Sequence, residues 1–148
     1  MANAVPLVLP RTQFVYELIA DLEPTLNLGD SPLGERRMVP IVGGTFEGPN
    51  IRGKVLPGGT DRQLVRKDGV RVLNALYELQ TDDGAIITVN NHVLVDDQPG
   101  RQRYVFSTLE ITAPKGPHVW LNRGVFVGTL NSLRPGRSAV LIRVYKVV

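Results

Sequence analysis

The chain of 148 residues contains no cysteine. Disulfides, thiolate nucleophiles and cysteine-ligated zinc are therefore excluded. It also lacks any run approaching the ~18 uncharged apolar residues of a membrane-spanning helix, so no membrane partner is expected. Met1 to Pro10 carries neither a basic n-region nor a cleavage pattern, so no secretory signal is expected, and the expected compartment is the cytoplasm. Charge of one sign is scarce, with 17 basic against 14 acidic residues and a net +3. Arg36-Arg37, Arg66-Lys67 and Arg101/Arg103 are short clusters interrupted by acids or apolar residues. A nucleic-acid surface usually shows a continuous basic stripe with interleaved aromatics, so no nucleic-acid partner is expected. His92 and His118 are the only histidines and lie far apart in sequence. Without a His-x-x-x-His pair or a His-plus-carboxylate run, no metal site and no cofactor are expected.

What is present fits one soluble globular domain, with 43% hydrophobic and 21% charged residues. The length suits a single domain over 1–148 with its own core, of which 1–11 is an N-terminal arm. Glycine (15) and proline (11) are spread along the chain, which implies many turns. Between them lie short β-rich runs: 14–23, 36–42, 45–47, 51–56, 63–66, 70–81, 86–95, 104–112, 124–130 and 138–148. Lys67-Asp68-Gly69 and Asp82-Asp83-Gly84 read as hairpin turns. Residues 24–34 read as a loop and 119–123 as one helical turn. Pro24 breaks the one other helix-like stretch, 18–28. The expectation is an all-β fold, a single antiparallel β-barrel of about 8–10 strands with little or no helix. Strands of about ten residues favour closure, which also removes exposed sheet edges.

In 70–81, Leu73, Ala75, Tyr77 and Leu79 share one face, and Val72, Asn74, Leu76 and Glu78 the other. In 104–112, Tyr104, Phe106, Thr108 and Glu110 share one face, and Val105, Ser107, Leu109 and Ile111 the other. Both faces hold apolar residues, so both need cover. The expectation is a homo-oligomer, dimer or tetramer, with the N-terminal segment as the alternative cover. Which face points inward stays open.

Gly48 to Val55 nearly matches a phosphate-binding loop. It fails because Val55 replaces the hydroxyl residue and Pro57-Gly58-Gly59 leaves no helix to follow. No Gly-x-Ser-x-Gly elbow exists. What remains is the glycine-dense block Gly43 to Gly59. Glycine is unfavourable inside a strand and marks barrel corners, bulges or close approach to a ligand.

At this block the chain resembles domain of unknown function family 3237, an uncharacterised bacterial and fungal family. The resemblance rests on Gly43 to Gly59, Tyr77, Thr81-Asp82-Asp83-Gly84, Glu110, Trp120-Leu121-Asn122 and Phe126-Val127-Gly128, and spans about residues 12–147. It implies a lipocalin-like antiparallel barrel with a central cavity, usually oligomeric. It also implies cofactor-free ring closure or isomerisation of polyketide-type phenolic compounds. This chain has Thr60-Asp61-Arg62 where the family commonly has Ala-Asp-Trp, a change expected to alter ligand preference if Arg62 faces the cavity.

A barrel of this size can hold one small hydrophobic or aromatic molecule. Phe46, Tyr104, Phe106, Trp120 and Phe126 are the expected aromatic wall, with Arg37, Asn90 and Asn122 as polar contacts. Glu110, phased with Tyr104 and Phe106, is the expected buried acid, and Asp61 the second carboxylate. Arg52, Arg37 or Tyr77 would stabilise an anion. The expected function is small-molecule binding with cofactor-free acid/base catalysis of cyclase or isomerase type. The alternative is a non-catalytic carrier of a hydrophobic metabolite. A scaffold barrel packed solid is a third reading.

Overall fold

A computed structural model describes residues 3–148; the first two residues of the expected N-terminal arm lie outside that range. Ten strands follow one another: β1 (Thr12–Leu22), β2 (Leu26–Ser31), β3 (Gly34–Glu47), β4 (Arg52–Val55), β5 (Gly59–Arg66), β6 (Arg71–Thr81), β7 (Ile86–Asp96), β8 (Tyr104–Thr112), β9 (Phe126–Ser132) and β10 (Ala139–Val147). A single 3-10 turn, Val119–Arg123, interrupts them. All pairings are antiparallel.

The ten strands fill eight positions round a closed ring. β3 pairs on one side with β2 and then β1, and on the other with β5 and then β4. Each of these two strand pairs therefore shares one position end to end. β6 to β10 follow in order, and β10 returns to β1. The barrel expected from the sequence is thus closed. Two expected features differ. Residues 26–31 form a strand instead of a loop, because β3 runs on past the end of β1 and needs a partner there. Residues 36–42 and 45–47 are one strand, not two.

The glycine block explains how β3 stays continuous. Its register against β1 shifts between Asp21↔Gly43 and Leu22↔Ile41, which marks a bulge. Gly44 has φ +132°, and a Cβ there would sit 1.9 Å from the Ile19 carbonyl oxygen. The glycine allows close approach of a neighbouring strand at a barrel corner, not of a ligand. The bulge also flips the side-chain phase: Val39 and Ile41 point inward before it, and Phe46 points inward after it.

The interior has two halves. At one end Tyr16, Leu18, Phe46, Leu79, Ile87, Phe126 and Val144 pack into a solid core. Tyr16 and Phe46 meet edge to face at 5.6 Å. At the other end the inward positions include small residues, Ala20, Ala75 and Ala139, and the barrel stays open there. Residue size on the inward face sets where filling stops.

Candidate functional site

The open half is a cavity of about 540 Å³. Its apolar wall is Leu73, Val93, Val95, Val105 and Leu130. The ladder registers stack the polar groups in layers. Arg37 pairs with Gln63, and Gln63 with Leu73. One layer deeper, Val39, Asp61, Ala75, Asn91 and Leu109 lie side by side across five strands. Asp61 and Asn91 flank Ala75, whose small side chain leaves the space between them free. Tyr77 lies two residues further along β6, where the cavity meets the packed half.

Three of these polar groups keep buried atoms without a protein partner. Asn91 is 1% exposed, and neither atom of its amide end is hydrogen-bonded. The Tyr77 hydroxyl and Asp61 Oδ1 are likewise buried and unpartnered. Asp61 Oδ2 accepts a bond of 2.8 Å from the Gln63 amide. Buried polar atoms are rarely left unmade, and several facing one cavity point to a bound molecule that completes them. Burial raises the Asp61 carboxyl above its ordinary value, and the Gln63 bond offsets part of that. Burial, reinforced by the Asp61 charge, raises the Tyr77 phenol, so it stays protonated as a donor. Burial and Tyr77 raise the Tyr16 phenol well above its ordinary value.

Of the residues singled out from the sequence, the cavity brings together Asp61, Tyr77 and Arg37. The others lie elsewhere. β8 alternates strictly, with Val105, Ser107, Leu109 and Ile111 buried. Glu110, Tyr104 and Phe106 therefore stand on the outer face in solvent, and Glu110 is not the buried acid expected from the sequence. Asn90 also faces outward, between Leu76 and Glu110, and its neighbour Asn91 holds the inward position. Arg62 is exposed outside the barrel. Phe46 and Phe126 belong to the packed core. Arg52 is exposed at the far end, 3.6 Å from Asp82. Trp120 packs beside the core and lines a surface hollow of about 260 Å³ with Phe14 and Pro49. Asn122 exchanges two 2.9 Å bonds with the Ala113 backbone, a structural tie.

Arg71, Gln63 and Asn91 were missed, although a signal existed. Arg71 continues the inward phase of Leu73, Ala75 and Tyr77, and Asn91 interrupts the buried run Ile87, Val89, Val93, Val95.

A second polar cluster closes the packed end. His118 Nε2 lies 2.9 and 3.1 Å from the two Asp83 oxygens, and the Thr81 hydroxyl donates to Asp83. The Thr81 bond, then His118, holds the Asp83 carboxyl below its ordinary value. His118 Nδ1 is buried without a protein partner, and the cluster lines a surface hollow of about 560 Å³ with Glu47, Asn50 and Arg52. The cluster works as a clasp between the β6–β7 turn and the 3-10 turn.

Known proteins of the same shape give this architecture a family. A UPF0311 protein of Clostridium acetobutylicum is 32% identical over 149 aligned residues, covering 90% of this chain and 91% of that protein. A conserved protein of unknown function from Rhodopseudomonas palustris superposes with a TM-score of 0.87 at 28% identity, over 96% of this chain and all of that one. A beta-barrel like protein of Acinetobacter baumannii gives 0.85 at 29%, with both chains fully covered. An enzyme from Penicillium herquei shares the fold, with a TM-score of 0.78 at 22% identity over 97% of this chain and 98% of its own. The family model described as Protein of unknown function (DUF3237) matches residues 10–147, and the chain belongs to that family.

Proposed function

We propose that the half-open barrel binds a small hydrophobic, phenolic or polyketide-like molecule and performs cofactor-free acid/base chemistry on it, of cyclase or isomerase type. The observation that carries this reading is Asp61: a half-buried carboxyl on the cavity wall whose Oδ1 is shut from solvent and unpartnered, beside a protonated Tyr77. Asp61 as carboxylate takes a proton from a hydroxyl or from a carbon next to a carbonyl. The electron pair left behind becomes a phenolate or enolate oxygen, and the Tyr77 hydroxyl donates a hydrogen bond to it. The neutral Asp61 then returns the proton to the new ring or to the shifted double bond, so the step is redox-neutral. Burial raises the affinity of Asp61 for that proton, as a general base working near neutrality needs. Asn91 and Arg37 orient the substrate, and the aliphatic wall holds it in a reactive pose.

Turnover assays on phenolic polyketide-type β-dicarbonyl compounds, with Asp61→Asn beside Glu110→Gln, test this. The expected result is loss of turnover in Asp61→Asn and retention in Glu110→Gln. Full activity in Asp61→Asn overturns the role. A ligand recovered unchanged from every variant would favour a carrier.

A further inference from the structure

Four arginines from four separate segments line the cavity: Arg37, Arg71, Arg103 and Arg134. Two are neutralised by acids. Arg37 pairs with Glu35 at 3.2 Å, and Arg71 with Asp97 at 2.8 Å. The other two hold only backbone oxygens. Arg103 donates to the Leu130 carbonyl, and Arg134 to the Glu23 carbonyl at 3.4 Å. Neither forms an ion pair among the described residues. The carboxylates facing the cavity are Asp97, already paired, and Asp61, which lies deeper in the layer of Ala75 and accepts a bond from Gln63. The mouth therefore carries uncompensated positive charge beside the apolar wall of Leu73, Val93, Val95, Val105 and Leu130.

Resting on the cavity as the ligand site, we propose that Arg103 and Arg134 form a carboxylate-binding mouth, so the barrel takes an amphipathic organic acid, anionic end outward and apolar body inward. A guanidinium fork matches a carboxylate with two parallel hydrogen bonds, and both arginines are exposed and accessible to an entering anion. An apolar body entering first would displace water from the aliphatic wall and bring its far end to the layer of Asp61 and Asn91. The anionic group would then be kept apart from the Asp61 carboxyl by the depth of the cavity.

Isothermal titration of the full-length protein with 2-naphthoate, methyl 2-naphthoate and 2-naphthyl phosphate tests this. Naphthoate is expected to bind at least about tenfold tighter than its ester, the range for a charge-assisted hydrogen bond. That margin should shrink as salt is raised. The double variant Arg103→Gln/Arg134→Gln should lose the margin while leaving ester binding unchanged, with the fold checked by circular dichroism. Asp61→Asn should keep the acid-over-ester margin even if both affinities shift, which separates this site from the catalytic reading: failure of Asp61 chemistry leaves the mouth intact. Equal binding of acid and ester overturns the proposal, as does an unaltered margin in the double variant or no binding of naphthoate. Tighter binding of the phosphate than of naphthoate would also overturn it, in favour of a phosphate site.

Discussion

Asp61 sits where water cannot fully solvate a charge, and its neighbours supply one amide bond in return. Its folded proton affinity is raised, so the folded chain keeps the proton at pH values where the unfolded chain has lost it. The stability tied to that proton is complete below the ordinary carboxylate value and is lost as pH rises through the raised value. Asp61→Asn removes this dependence. Its melting temperature is expected to gain on the wild type as pH climbs from about 4 toward neutrality, read by thermal melts across pH. The same variant should lose about 10²- to 10⁴-fold in turnover, the span typical of a positioned acid or base. Tyr77→Phe removes an unpartnered buried hydroxyl, so folding should be unharmed, with ligand affinity lowered and turnover lowered further. The places of Asp61 and Tyr77 were partly legible, Asp61 because it follows the glycine block and Tyr77 because it stands on a plainly alternating strand; Arg37 was read only as a basic group able to stabilise an anion. Asn90 and Glu110 misled because a strand reverses face with each residue, and both faces of β7 and β8 carry apolar side chains.

β3 depends on its bulge and on Gly44. Gly44→Ala forces a Cβ into the Ile19 carbonyl at a backbone angle that L-residues avoid. It should cost about 1–3 kcal/mol or more, read from the denaturant midpoint. Gly59→Ala would put a methyl 2.6 Å from Tyr77 Cβ, and is expected to impair turnover by displacing that ring. The clasp of Thr81, Asp83 and His118 has the opposite pH sign from Asp61. The Asp83 carboxyl is lowered, so its contribution is present above the ordinary carboxylate value and lost as pH falls through the lowered one. Hydrogen exchange at the Leu121 amide, bonded to the His118 carbonyl, should quicken on acidification, and Asp83→Asn should abolish that change. The strand runs were legible from turn residues and β-rich segments, including the limits of β8 and of the 3-10 turn. β2 was not, because its sequence is polar and glycine-containing and only the overrun of β3 makes it a strand.

The barrel exposes apolar surface that its own chain does not cover. On the outer face Leu76, Leu94, Tyr104 and Phe106 are 40–55% exposed, with Tyr104 and Phe106 edge to face at 4.9 Å. The N-terminal segment does not lie over them: Val5, Leu7, Val8 and Leu9 are 70–82% exposed. We propose a second copy of the chain as the occupant of this face, since two copies can cover both surfaces reciprocally. Light scattering should show a dimer or larger assembly, and Leu76→Asp/Phe106→Asp should yield a folded monomer. A monomeric wild type at tens of micromolar would overturn this.

Composition and alternation were enough for an all-β closed barrel, because strand length, turn residues and missing helix periodicity are local properties written in consecutive residues. The alternation pointed to Glu110 as the buried acid, whereas Asp61 drew notice only from its place after Gly58-Gly59. Three-dimensional closure decided which of two apolar faces looks inward, where filling stops, and which arginines meet at the mouth. Those outcomes depend on registers between strands far apart in the chain and on the bulge that reverses phase within β3, and no local pattern encodes them.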